Sequence, residues 1–156
     1  MWLERSPLGH AMRTSGVWTY GIVNLLHILG VSSLFGSVLL LDLRLLGAWR
    51  RVAIPTLADV VVPVATAGLF VAAITGTCLL ATNGSEYIGN PFLLIKFPAI
   101  ALGLVNVALL NALPVWRQRR LREPTSPERR QLAVAGGVSL ACWLTAVTAG
   151  RMIGYW

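Results

Sequence analysis

The sequence predicts an all-α integral membrane protein: a four-helix transmembrane bundle with a short N-terminal interfacial helix. Three observations predict it. Of 156 residues, 56% are hydrophobic and 12% charged, against about 25% charged in an average soluble domain. The apolar residues gather into four runs, each able to supply the ~20 residues with which a helix crosses the hydrocarbon. The charges are segregated, with nine of the thirteen bases in or beside the first and third connections between runs. This composition excludes an ordinary soluble enzyme, a disordered chain, a coiled coil and a disulfide-stapled secreted domain. The net charge of +7 reads as a topology signal, not as affinity for nucleic acid.

Residues 1–16 form a polar segment, in which Trp2, Leu3, Leu8 and Met12 are placed to face lipid from a short helix on the outer surface. Residues 17–156 form one transmembrane domain. The first run, Val17–Leu46, is longer than the ~7–15-residue core of a signal peptide and is read as a retained span. The others are Leu57–Thr82, Pro91–Val115 and Gln131–Tyr155. Lipid cannot satisfy open backbone groups, so each should be helical. Alternating barrel strands are absent. Gly68, Ala72 and Gly76 recur every fourth residue and form a small-residue stripe on the second helix, with Gly30 on the first; such stripes allow close helix packing. Pro63 and Pro98 lie inside runs and predict bends. Ser126-Pro127-Glu128 predicts an N-cap, a proline at the first helical position and a first-turn acid.

The arginines predict the orientation. The third connection, 116–130, holds six Arg against two Glu, and the first holds Arg50 and Arg51 with Arg44 just before it. The second, Asn83–Asn90, has no base. Connections one and three must share a side, and basic loops stay in the cytoplasm. Both termini are then expected in the periplasm of a bacterial inner membrane. Binding of anionic lipid is a secondary reading of the third connection. Trp49 and Trp116 fall at the inner boundary; Trp18, Tyr20, Tyr87, Tyr155 and Trp156 fall at the outer one, as amphipathic rings prefer.

An ionisable group inside a span is costly and is a functional-site hypothesis by default. His27 and Lys96 stand out. His27 lies about 15 Å down the first helix, with Asn24 and Tyr20 at helical spacing; Asn106 follows Lys96 on the third. Thr75, Cys78, Arg151 and Met152 fall in the same outer half. The inner half is aliphatic apart from Asp42, Arg44 and Asp59 near its boundary. The expectation is a polar pocket open to the outside. Its candidate ligands are His27, His10, Cys78 and Met152, and its polar wall is Asn24, Thr75, Lys96, Asn106 and Arg151. Structural roles compete. His27 can bond Asn24 or Thr75, Lys96 and Arg151 can snorkel, and Cys78, Cys142 and Met152 can fill apolar space.

Three chemistries fit the pocket. A soft metal ion such as Cu(I) favours thioether, thiolate and imidazole. A b-type haem takes His or Met as axial ligands, with Lys or Arg near its propionates. His10 and His27 are 17 residues apart, about 25 Å on one helix, and could grip one iron only if the chain folded back near Ser15–Gly16. His27 with Met152, or two His27 from a dimer, are the other haem pairs. The third reading is a cofactor-free scaffold for a partner protein. No hydrolase elbow, zinc-protease pair or phosphate loop is present, so no enzymatic activity is predicted. Cys78 and Cys142 have no metal-ligand spacing.

The same residues carry a family resemblance. The first span, V-N-L-L-H-I-L-G-V-S-S-L-F-G-S-V-L-L-L, resembles the His-containing helix of the copper-resistance protein D family through His27, Gly30, Phe35 and Gly36. The step at Thr75–Gly76 resembles that family's T-G pair. N-P-F-L-L-I-K-F-P-A-I-A-L-G-L-V-N-V-A-L-L-N resembles its aromatic–x–x–L–x–x–K helix start with a closing Asn, through Phe92, Lys96 and Asn111. The chain has about half the family's spans, lacks its Met-rich ligand sets, and has Phe35 where a Trp is customary. It is also similar to short bacterial four-helix membrane proteins of unassigned function. The resemblance implies copper handling in an inner membrane beside a periplasmic partner. The whole reading is a membrane-embedded homo-oligomer, or a subunit of a membrane complex, with copper most plausibly at His27 and Lys96.

Overall fold

Long apolar stretches without internal breaks fold here into helices whose buried positions recur every three or four residues. The computed structural model describes residues 5–14, 16–84 and 89–155. Six α-helices follow in order: α1 (Pro7–Thr14), α2 (Gly16–Leu45), α3 (Ile54–Asn83), α4 (Pro91–Ala112), α5 (Pro114–Arg117) and α6 (Ser126–Met152), closed by a 3₁₀ turn, Ile153–Tyr155. Four of them are long and apolar enough to cross a membrane. The chain is an all-α bundle and a multi-pass membrane protein.

The four long helices run up and down. The end of α2 that precedes the first basic connection and the start of α6 that follows the third lie together as the arginine-rich end. His27 and Lys96 lie toward the other, the histidine end. α2 packs most extensively on α3, and α4 on α6; α2 and α6 join the two pairs, and α1 lies on α3. In α2 the buried positions are Gly30, Leu34, Ser37, Leu41, Asp42 and Leu45, and in α6 Leu132, Gly136, Ser139, Trp143, Ala146 and Ala149. This near-heptad spacing is the seam of left-handed helix packing.

The α2–α3 seam is set by absent side chains. A Cβ on Gly68 would stand 2.6 Å from Leu34 N and 2.7 Å from Gly30 O, and one on Gly30 would stand 2.8 Å from Ala72 N. Backbone meets backbone there, as the small-residue stripe predicted. On the other pair, Gly103 of α4 makes room for the indole of Trp143.

At the arginine-rich end all the long helices converge on one apolar cluster, including Leu41, Leu45, Ile54, Ala58, Leu110 and Leu132. The expected span Pro91–Val115 ends early. Leu113 adopts an extended conformation (φ −65°, ψ 131°), as the residue before a proline prefers, and Pro114 opens the separate turn of α5. Trp116, expected at the membrane boundary, is instead 4% exposed in the cluster. Its Nε1 donates to Asn111 Oδ1 at 3.0 Å. The fourth helix starts five residues before the expected Gln131. Thr125, not Ser126, is its N-cap. Glu128 reaches back to accept from Thr125 N and Oγ1, both at 2.8 Å, and from Arg122 at 2.6 and 2.7 Å. The Glu128 carboxylate raises the Arg122 guanidinium above its usual pKa.

Two further expectations change. Met12 is 8% exposed, because α1 folds onto α3 instead of lying with that residue in lipid. Arg13 holds α1 there, donating to Ala81 O and Thr82 O at 3.4 and 3.3 Å in the last turn of α3, where helix carbonyls lack partners. Asp42, expected near the boundary, is 3% exposed, because it faces α6. α3 and α4 remain helical through Pro63 and Pro98. Trp2, Leu3, Tyr87 and Trp156 lie outside the described residues.

Candidate functional site: a histidine with one nitrogen held and one open

His27 sits on the buried stripe of α2, one turn before the Gly30–Gly68 crossing. The close approach of α3 brings two acceptors to its ring. Nδ1 lies 3.0 Å from Ala72 O and 3.0 Å from Thr75 Oγ1. A carbonyl can only accept, so Nδ1 carries the proton. The Thr75 hydroxyl donates to Val71 O at 2.6 Å, which leaves its oxygen lone pairs to face the imidazole. Gly76 lies against the ring: a Cβ there would be 3.0 Å from His27 Cε1. Among the described residues Nε2 has no hydrogen-bond partner, and it is not sealed from the surface. In the neutral ring it bears the lone pair.

Lys96 comes from the other helix pair. Its side chain crosses Gly150 of α6, where a Cβ would meet Nζ at 3.4 Å. The ammonium has no ion-pair partner among the described residues. The histidine end thus carries an imidazole on the α2–α3 pair and a cation on the α4–α6 pair.

The other expected members are dispersed. Thr75 belongs to the site. Asn24 is exposed one turn from His27. Asn106 donates to Ala135 O at 3.0 Å and fastens α4 to α6. Arg151 stacks on the Tyr155 ring, 4.7 Å from its centroid, and donates to the Tyr155 hydroxyl. His10 and Met152 are exposed on α1 and α6, and Cys78 is half-buried on α3. None of these three has a described contact with His27, and no group of three His, Cys, Asp or Glu suited to a metal occurs among the described residues. Asn111, the closing Asn of the resemblance, anchors Trp116 at the far end.

Sequence reasoning placed Asp42 near the membrane boundary and gave it no part in a site. It faces α6, where a Cβ on Gly136 would stand 3.1 Å from Asp42 O, and its Oδ2 is buried without a partner among the described residues. It lies fifteen residues after His27, about 22 Å along the helix, and is separate from the histidine site. The spacing Asp42–Leu45, which repeats that of Leu34–Ser37, is the signal that could have placed it inward.

No protein-family model matches the chain, and neither a curated protein nor a solved structure does.

Proposed function

We propose that this membrane protein holds a metal-centred redox cofactor through His27, on the periplasmic side of a bacterial inner membrane, and that a b-type haem suits the site better than a bare copper ion. The observation that carries this reading is the tethered Nδ1–H. A ligating histidine typically donates its second nitrogen to a carbonyl or a similar acceptor, which fixes the tautomer and aims the free lone pair. Ala72 and Thr75 do this for His27.

Donor count and charge favour haem over copper. His27 stands alone among soft ligands, and Cu(I) is held by sets of them. A haem brings its own ring nitrogens and asks the protein only for axial ligands. The uncompensated Lys96 ammonium repels a cuprous ion and attracts a carboxylate such as a propionate. When bound, the haem supplies one-electron chemistry. His27 orients it, and Lys96 binds its anionic edge. A second copy of the chain, presenting the same histidine, would supply a second ligand. Asn24 supports such association: its exposed amide has no described partner, and polar side chains on spans link helices. The orientation rests on the nine bases at the opposite end.

The absorption spectrum and metal content of the purified protein test this. A Soret band that disappears in His27→Ala, with helicity intact, is the expected result. Copper without a Soret band, lost in the same variant, would move the site to the copper reading that the family resemblance implies. A colourless, metal-free protein that still captures a partner would leave the scaffold. Labelling of a cysteine placed at Ser126 from the periplasmic side would overturn the orientation.

A further inference from the structure

A second concavity lies at the opposite end of the molecule. A cleft of about 530 Å³ opens between the end of α2, the turn into α3 and the start of α6, within the range of small-molecule sites, ~300–1,000 Å³. Arg44, Arg50, Arg129 and Arg130 line it, against the single acid Glu123. Among the described residues none of the four guanidiniums has a carboxylate partner, Glu123 included, and two other acids of this end are engaged elsewhere: Asp59 by Arg120 at 2.6 Å and Glu128 by Arg122 at 2.6 Å. Arg44 is fixed in place, donating to Val52 O at 2.6 Å and to Arg50 O at 3.4 Å, which leaves other N–H groups of its fork unused. The lining also includes Leu45, Ile54 and Leu132, all buried in the apolar cluster. The site therefore pairs unneutralised guanidiniums with an apolar floor, at the level where the spans end.

We infer that this cleft binds the phosphate-bearing headgroup of an anionic phospholipid. Guanidiniums match phosphate oxygens in charge and fork geometry. A free phosphate ion would need only the arginines. The apolar floor and the position at the span ends select a ligand that is charged at one end and hydrocarbon at the other, and basic pockets between transmembrane helices bind such headgroups. Of the five remaining bases of this end, Arg51 does not line the cleft, and the other four are engaged. Arg117 donates to Asn111 O at 3.1 Å, Arg119 stacks over Trp116 at 4.3 Å, and Arg120 and Arg122 are ion-paired.

The test is lipid retention by the full chain in neutral detergent, read by native mass spectrometry after incubation with phosphatidylglycerol or phosphatidylcholine. The expected result is a preference for phosphatidylglycerol of roughly tenfold or more. It should be lost in the double variant Arg129→Gln/Arg130→Gln and kept in the charge-matched control Arg117→Gln/Arg120→Gln, with both variants retaining helicity. Equal loss in the two variants would reduce the effect to general surface charge and overturn the site. No preference between the lipids would overturn it as well. Displacement of the lipid by millimolar inorganic phosphate that binds on its own would assign the cleft to a free anion instead.

Discussion

The two ends of the bundle solve opposite problems. At the arginine-rich end the long helices meet in a continuous apolar cluster. Several of their polar groups are satisfied within the protein, Trp116 by Asn111, Asp59 by Arg120, and Glu128 by Arg122 and Thr125, while Asp42 Oδ2 and Arg119 Nε are buried without a partner among the described residues. At the histidine end the side chains are smaller, and key polar groups are left incomplete. Among the described residues, His27 Nε2 has no partner, Lys96 has no counter-ion and Asn24 has no partner. One end holds the helices together. The other is pre-organised by that hold and leaves valences for a ligand. Stability and binding should therefore respond to different substitutions.

The crossing that serves both ends should show the largest effect. Gly68→Val places a branched side chain against Leu34 N and Gly30 O. Both are backbone atoms and cannot swing aside, so α2 and α3 must separate. Overpacking of this kind costs about 3 kcal/mol, read as a lowered unfolding midpoint in detergent. Because Ala72 and Thr75 move with α3, cofactor retention should fall with it. Unchanged unfolding would mean that the helices pack less closely than the Gly30–Gly68 contact shows.

The next two substitutions should separate the ends. Asn111→Ala leaves the buried Trp116 N–H without its acceptor, a loss of about 1–3 kcal/mol, with the spectrum of any His27-bound group unchanged. Asn111→Asp, which keeps an acceptor, should recover most of the stability. Thr75→Ala should cost less in stability, because Ala72 O still accepts from His27. It should nevertheless weaken a metal cofactor by about 10–100-fold, the usual effect of losing a group that orients a ligating histidine. A spectral change from Asn111→Ala, or none from Thr75→Ala, would break the division between the ends.

The sequence made the spans legible because hydrophobic length is a property of the chain itself, and the small stripe at Gly68, Ala72 and Gly76 marked the right seam. The His27–Thr75 bond was among its expectations. The misplaced residues are those whose setting depends on how helices turn toward one another. Helical spacing groups residues on a face, but does not say whether that face meets lipid or protein. Asp42 looked interfacial by depth and proved buried by rotation; Met12 and Trp116 likewise fold inward. His10, Cys78 and Met152 share a level with His27 but not a contact, since level follows from position along a helix and convergence requires the packing. The helix ends at Leu113 and Thr125 moved because Pro114 and the Glu128 cap act locally, within runs whose apolar character continues past them.

The smallest effect is expected from Arg120→Gln, and it sharpens the account of the arginine-rich end. The Arg120–Asp59 pair is short, 2.6 Å, yet its side chains are 66% and 42% exposed. Water and salt screen such a pair, and ordering two long side chains offsets much of its attraction, so an exposed ion pair contributes about 0–1 kcal/mol. The substitution should leave the unfolding midpoint nearly unchanged at moderate salt. Trp116, by contrast, is held by burial and a neutral hydrogen bond. If Arg120→Gln proved as costly as Asn111→Ala, the ion pairs would be what closes this end. If it is nearly silent, the closure belongs to the apolar cluster, and the arginines of this end serve to orient the chain and, in the cleft, to meet anionic headgroups.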